Sequence, residues 1–373
     1  MQHSTSLTNT VAKGTLIDPF TSRRSVPFMR PIPLLALLLL NTTATACDRV
    51  QPERAPTMAA TPFDSVFRLA DTLTPEQPDS VPIGLVSGID FASDGSFVLT
   101  DVRSMRVLRY AADGRLLGRM GRLGFGPGEF QMPMFPVIDE RGRIHVLDLM
   151  VPRISVFNAD GSFLRTVSTI HLGNRVGDLE VLPGGDYLLV AWAGESRDLL
   201  VRTDSLGQVR DSYVPHARLN PEGEPARPIW GNMRNASLSV VGDEAFVVTA
   251  LSDSLWTVNL RNGHTSSQRI TPPTYLTPTP PRGDLSANGA FLRWAQTWTT
   301  AILVRGSDRN LMAIFVRGIL MRGDSAVAAY RSQDGRWQGL TTMPIVLTVR
   351  GDTVVTLLDP NAEVVRFGVH VRR

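Results

Sequence analysis

The sequence predicts an all-β fold, a six-bladed β-propeller of four-stranded antiparallel blades whose last blade is closed by an N-terminal strand. Three observations carry that expectation. Two consecutive segments repeat without a gap at an offset of 47 residues. Each is a set of short apolar or alternating runs separated by Asp-Gly-type turns, and weaker copies follow to the C-terminus. Between the two clear copies lies residues 121–130, Gly-Arg-Leu-Gly-Phe-Gly-Pro-Gly-Glu-Phe. Its glycines and proline rule out a helix or a central strand. It reads as an ordered junction, with Phe125 and Phe130 expected to wedge between packed units.

Residues 1–47 read as a signal segment. Arg30 precedes an apolar run at 32–40, about half the ~20 residues needed to span a bilayer. Small residues Ala44-Thr45-Ala46 then lead to Cys47. Met29 makes a conventional signal start, in which case residues 1–28 are an untranslated extension; Ser22-Arg23-Arg24 is similar to a twin-arginine signal but departs from it at Val26 and Pro27. Cys47 is the sole cysteine, so no intramolecular disulfide can form. Its position directly after the expected cut resembles the lipid-modified cysteine of bacterial lipoproteins, with Ala44 where that family usually has Leu. An ordinary signal peptidase would cut the same bond without lipid. The expected address is the bacterial cell envelope, on the periplasmic or extracellular side, anchored by lipid at Cys47 and touching membrane only through it. Residues 48–61 form a tether and residues 62–373 the propeller.

Charge excludes one class of partner. Removing the four basic residues and one acidic residue of 1–47 leaves 34 of each sign, so the folded part is neutral and no nucleic-acid partner is expected. Lys13 is the only lysine, which leaves no Schiff-base or lysine general-base chemistry to the propeller.

The blades follow in order. The first unit joins Asp94-Gly95-Ser96-Phe97-Val98-Leu99-Thr100-Asp101 to Arg106-Val107-Leu108-Arg109-Tyr110 and Asp113-Gly114. The second joins Arg141-Gly142-Arg143-Ile144-His145-Val146-Leu147-Asp148 to Arg153-Ile154-Ser155-Val156-Phe157 and Asp160-Gly161. Fainter pairs of runs lie at 183–190 with 199–207, 242–248 with 255–263, 311–316 with 326–335, and 351–358 with 363–369. The sixth unit lacks residues for an outermost strand. The alternating run at 63–69 is expected to supply it and to remove the exposed sheet edges.

The run from Leu99-Thr100-Asp101 through Arg106 to Asp113-Gly114 is similar to the NHL repeat. Gly124-Phe125-Gly126-Pro127-Gly128-Glu129-Phe130 resembles the junction of NHL-like six-bladed propeller proteins found among bacterial exported lipoproteins. The resemblance covers about residues 62–373, strongest in the first two blades. It implies architecture and location and leaves function open.

Several constellations bear on chemistry. Asp101 with Arg106, and Asp148 with Arg153, recur at one spacing; a strand-ending Asp bound across a loop to a strand-opening Arg accounts for them as structural repeats. Arg-Gly-Asp at 282–284, 322–324 and 350–352 reads as turns. Neither a phosphate loop nor a nucleophile elbow is present. His145, His171, His216, His264 and His370 lack metal-ligand spacing. Two long Pro-bearing insertions, 211–235 with His216 and Trp230 and 271–298 with Trp294 in a helical run at 285–296, join an outermost strand to the next innermost one. They should emerge on the face that also carries the Asp101 and Asp148 loops and Glu129. Glu129, His216, Trp230 and Trp294 are the candidate binding face, with packing of the two tryptophans against the blades as the competing account.

The expected function is therefore a non-catalytic, exported, lipid-anchored and monomeric binding module for a protein, peptide or glycan partner, with no cofactor identified. The alternative is a metal-assisted hydrolase or lyase of the gluconolactonase-like type, holding calcium or zinc on acids gathered from distant blades.

Overall fold

A computed structural model describes residues 57–173, 176–191, 197–216, 236–278, 290–308, 310–317 and 326–373. They lie in the compact unit Glu53–Arg373. The chain opens with β1 (Ala60–Pro62), a helical turn α1 (Phe63–Val66) and β2 (Phe67–Leu73). Blade 1 is β3 (Val86–Phe91), β4 (Phe97–Asp101), β5 (Arg106–Tyr110) and β6 (Leu116–Met120). Blade 2 is β7 (Pro133–Ile138), β8 (Ile144–Asp148), β9 (Arg153–Phe157) and β10 (Phe163–Ser168), matching blade 1 strand for strand at the 47-residue offset. Blade 3 is β11 (Val176–Val181), β12 (Tyr187–Ala191), β13 (Asp198–Thr203) and β14 (Val209–Pro215). Blade 4 is β15 (Ala236–Val241), β16 (Glu244–Thr249), β17 (Ser254–Asn259) and β18 (Thr265–Arg269). After α2 (Ala290–Ala295), blade 5 is β19 (Thr299–Ser307), β20 (Asn310–Arg317), β21 (Ala326–Arg331) and β22 (Trp337–Thr341). Blade 6 is β23 (Ile345–Arg350), β24 (Thr353–Leu357) and β25 (Phe367–Arg372), completed by β2.

Burial explains the sequence pattern of each strand position. All five residues of β4, β8 and β12 are buried, because the second strand of a blade is covered on both faces by the neighbouring blades. Such strands read as continuous apolar runs rather than alternations. Outermost strands such as β18 are mostly exposed and correspondingly polar. At the hairpins the backbone needs a left-handed residue, and Gly95 and Gly142 provide it at φ +85° and +73°.

The core is a ring of interfaces rather than one central cluster. Val98, Val107 and Met120 of blade 1 meet Ile144, Val146 and Phe157 of blade 2, and equivalent clusters join each later pair of blades. The last of these joins Phe97, Leu99 and Tyr110 of blade 1 to Val355 and Phe367 of blade 6.

Closure uses the N-terminal segment, with two differences from the sequence expectation. The strand is β2 at 67–73, paired antiparallel from Phe67↔Arg372 to Leu73↔Phe367, and residues 63–66 are the turn α1. Before it, β1 runs parallel to β22 and gives blade 5 a fifth strand. The chain must cross from the edge of blade 5 to the edge of blade 6, and one helical turn makes that step. It also places Phe63 and Phe67, four apart, in a stack of 4.9 Å inside the interface between those blades. Phe67 is fully buried and lies edge-on to Tyr330 at 5.2 Å. Phe67→Ala is therefore expected to cost about 3–5 kcal/mol in urea unfolding. A loss under about 1 kcal/mol would show that β2 is not part of the cooperative ring.

Candidate functional site

The glycine-rich connection runs from the outermost strand of blade 1 to the innermost strand of blade 2. Within it, Phe130 donates its N–H to the Arg122 carbonyl at 2.8 Å, and Gly124 donates to the Phe130 carbonyl at 3.1 Å. Gly121 sits at φ +75°, and a Cβ there would lie 2.4 Å from the Phe130 ring. Only glycine fits that approach.

Arg153 holds the connection from the next loop. Its guanidinium donates to the carbonyls of Phe125 (2.7 Å), Gly126 (3.2 Å) and Glu129 (2.6 Å) and lies 3.6 Å from the Asp148 carboxylate. Asp148 accepts the N–H groups of Gln131 and Met132, both at 3.0 Å, where the chain enters β7. Blade 1 repeats the arrangement: Asp101 accepts Gly84 and Leu85 N–H at 3.2 and 3.0 Å and pairs with Arg106 at 3.4 Å, while Arg106 donates to the Pro82 carbonyl. Each Asp–Arg pair thus clamps the segment that leads into its own blade.

Clamped in this way, the connection holds apolar side chains out in solvent. Phe125 is 74% exposed and Leu123 64%. Met150, in the loop from β8 to β9, is 60% exposed, and Ile170, on the connection from blade 2 to blade 3, is 52% exposed. The segments are neighbours, because Arg153 binds the Phe125 carbonyl and Thr169 donates to the Pro152 carbonyl at 2.9 Å. The expectation for the two phenylalanines is therefore half corrected. Phe130 is the buried wedge, 6.0 Å from Phe157, whereas Phe125 lies within the turn and is largely exposed among the described residues.

A second concentration of polar groups lies on the channel between the innermost strands. The cavity there is about 510 Å³ and is lined by Asp90, Asp178, Glu180, Arg305 and Arg350 among Val86, Val137, Ile302, Leu347 and other apolar residues. Asp178 accepts from Ser237 Oγ and Leu238 N–H, both at 2.9 Å, and pairs with Arg305 at 3.3 Å. Arg305 also donates to the Val304 and Leu238 carbonyls at 2.8 and 3.0 Å. Asp90 accepts the Ile138 N–H at 2.7 Å, and enclosure away from water pushes its pKa up to about 6. Enclosure pushes Glu180 up to about 8, against the opposing pull of Arg305 and a hydrogen bond from the Val240 backbone.

Residues 54–216 match a family described as a 6-bladed beta-propeller, over somewhat less than half of the chain. NHL repeat-containing protein 3 of Homo sapiens is 29% identical over 110 residues, 29% of this chain and 32% of the relative. The chain folds as a six-bladed β-propeller. It spans about a third of the length of that human relative, and the mouse protein of the same name aligns over the same share at 28% identity. Two solved structures share the propeller's fold. A Bacteroides fragilis protein assigned to export has a TM-score of 0.58 at 15% identity, with 85% of this chain and 98% of that one aligned. A Bacteroides vulgatus protein has a TM-score of 0.57 at 10% identity, over 82% and 98%. At such identities the likeness is one of fold.

The propeller disposes the candidate binding residues unevenly. Glu129 folds back into its own loop, where its carboxylate accepts from Gly126 N–H and Arg122 Nε, both at 2.8 Å, and these bonds hold its pKa below the usual range. His216 is buried at the end of blade 3, with its backbone N–H donated to the Arg197 carbonyl. Trp294 lies on α2, half-buried and 5.3 Å from the fully buried Trp298. Trp230 and Cys47 lie outside the described residues. Among the described residues no group of three or more His, Cys, Asp or Glu could hold a metal ion, and no helix is long and apolar enough to cross a membrane. Sequence reasoning missed Asp90, Asp178, Glu180 and Arg305. The available signal was charge inside an innermost strand, as in Gly88-Ile89-Asp90-Phe91 and Gly177-Asp178-Leu179-Glu180-Val181.

Proposed function

We propose that the propeller is an exported, lipid-anchored binding module that takes a protein or peptide partner on the face bearing the glycine-rich connection, with no catalysis of its own. The observation that supports this is the group Leu123, Phe125, Met150 and Ile170, held in solvent on adjacent connections by a buried Asp–Arg clamp. Exposed apolar side chains on a preorganised backbone lose little entropy when a partner covers them. Leu123, Met150 and Ile170 offer nothing to a sugar's hydroxyls, and Phe125 is the single aromatic ring among the four, which favours a protein or peptide over a glycan. Propeller and NHL-repeat domains commonly mediate protein interactions.

The test is site-specific photo-crosslinking in the native envelope. A photoreactive residue at Phe125 is expected to give a discrete protein adduct. The same group at Leu206, which is 72% exposed in the hairpin from β13 to β14 on the opposite face, should give none. Adducts at Leu206 alone, or equally at both, would overturn the assignment of the face.

A further inference from the structure

Across the ring from the glycine-rich connection, a cleft of about 400 Å³ opens between blades 4 and 5. It is lined by the buried ring of Phe246, on β16, and the half-buried ring of Trp337, the first residue of β22. Arg331, the last residue of β21, places its guanidinium carbon 4.9 Å from the Phe246 ring centre and 5.7 Å from that of Trp337. Arg106, Arg153 and Arg305 each pair with a carboxylate, whereas the half-buried Arg331 guanidinium forms no ion pair and no hydrogen bond among the described residues. Aromatic contact engages the face of a guanidinium and leaves its N–H edge for another acceptor. Glu244 at the start of β16, Gln268 on β18 and Asp308 between β19 and β20 line the same cleft. Their side chains also engage no hydrogen-bond partner among the described residues. The charges of the lining are thus one guanidinium and two carboxylates, of which Glu244 acts on Arg331 electrostatically.

We propose that this cleft binds a neutral carbohydrate: a pyranose ring stacks its C–H face on Trp337, while its hydroxyls donate to Glu244 and Asp308 and accept from Arg331 and Gln268. The balance of charge selects the ligand class. An anion drawn to Arg331 would meet two carboxylates, and a cation drawn to the carboxylates would meet the guanidinium. A polyol satisfies both signs at once, because each hydroxyl is donor and acceptor together. The indole adds what a set of polar groups alone lacks, an apolar platform for the carbon face of the ring. At about 400 Å³ the cleft is within the size range of small-molecule sites. It shares no residue with the group around Phe125, so one chain would hold a sugar and a protein partner at separate places.

The experiment is calorimetric titration of the full chain, at low and high salt, with a panel of neutral trisaccharides built of glucose, galactose, mannose or N-acetylglucosamine. Saturable binding of at least one at millimolar concentration or below is expected, with an affinity that salt leaves unchanged because the ligand carries no charge. Trp337→Leu removes the platform, and Arg331→Met keeps the stem against Phe246 without its N–H groups; each should weaken binding about tenfold or more. Glu244→Ala should weaken it about fivefold. Glu244 is exposed, so this variant keeps the test decisive if the other two do not fold. Sodium sulfate is the rival probe: an anion site would bind it, lose it as salt rises, and hold it more tightly in Glu244→Ala. No saturation by any trisaccharide, sulfate binding with that pattern, or sugar affinity unchanged in the variants that fold would each overturn the proposal. Failure here would leave the loop-face reading untouched, since that is probed at Phe125.

Discussion

Arg153→Ala is expected to destabilise the protein by about 3–5 kcal/mol, the range for removing one partner of a buried ion pair. The loss has two parts. Asp148, buried in the interior, is left without its nearby cation, and the carbonyls of Phe125, Gly126 and Glu129 lose their donor together. Arg153→Lys should recover only part of this, because an ammonium cannot span carbonyls that a planar guanidinium reaches with separate nitrogens. Arg106→Ala should cost less, since Arg106 donates to a single connection carbonyl, that of Pro82. Urea unfolding of the three variants checks the order. Equal losses for Arg106→Ala and Arg153→Ala would mean that the carbonyl contacts contribute nothing beyond the ion pair.

The second large effect is on the pH dependence of stability. An unfolded Glu180 gives up its proton near the usual carboxylic value of 4.5, whereas the folded protein keeps it to about 8. Between those values the folded state binds more protons than the unfolded one, so this group's contribution to stability falls as pH rises. Asp90 adds to the same trend between its ordinary 3.8 and about 6. Glu180→Gln should match the wild type near pH 4.5 and exceed it above pH 8, by on the order of a few kcal/mol. Thermal melts from pH 5 to 9 provide the comparison. A wild type that gains stability across this range, or a variant with the same slope, would contradict the enclosure of Glu180.

What was legible in the sequence follows from which forces act locally. The offset of 47 maps β3–β6 onto β7–β10 strand for strand, because hairpin turns and doubly buried second strands impose their patterns residue by residue. The closing strand was legible as a need, but its position was displaced. Apolar residues at 63 and 67 fit a helical turn as well as a strand, and the choice is made by the gap between two blade edges. Phe125 and Phe130 are chemically alike, and only the fold decides which one finds a neighbouring blade. The channel was the least legible part. Asp90 and Glu180 stand 90 residues apart, each on a different innermost strand. Their shared environment arises when six innermost strands converge on one axis.

The closing strand has a consequence for the order in which the protein can form. Phe67 pairs with Arg372, so residues synthesised among the first of the propeller find their partner only when the last have been made. Until then β25 offers a bare edge and β2 has no sheet to join. Contacts of such long sequence separation form slowly, because chain entropy is lost before they reward it. The seam between blades 5 and 6 is thus expected to be the last part to mature and the first to open. A protease or a competing strand meets the nascent ring there, which makes the interval before Phe67 docks the period of greatest exposure to misassembly.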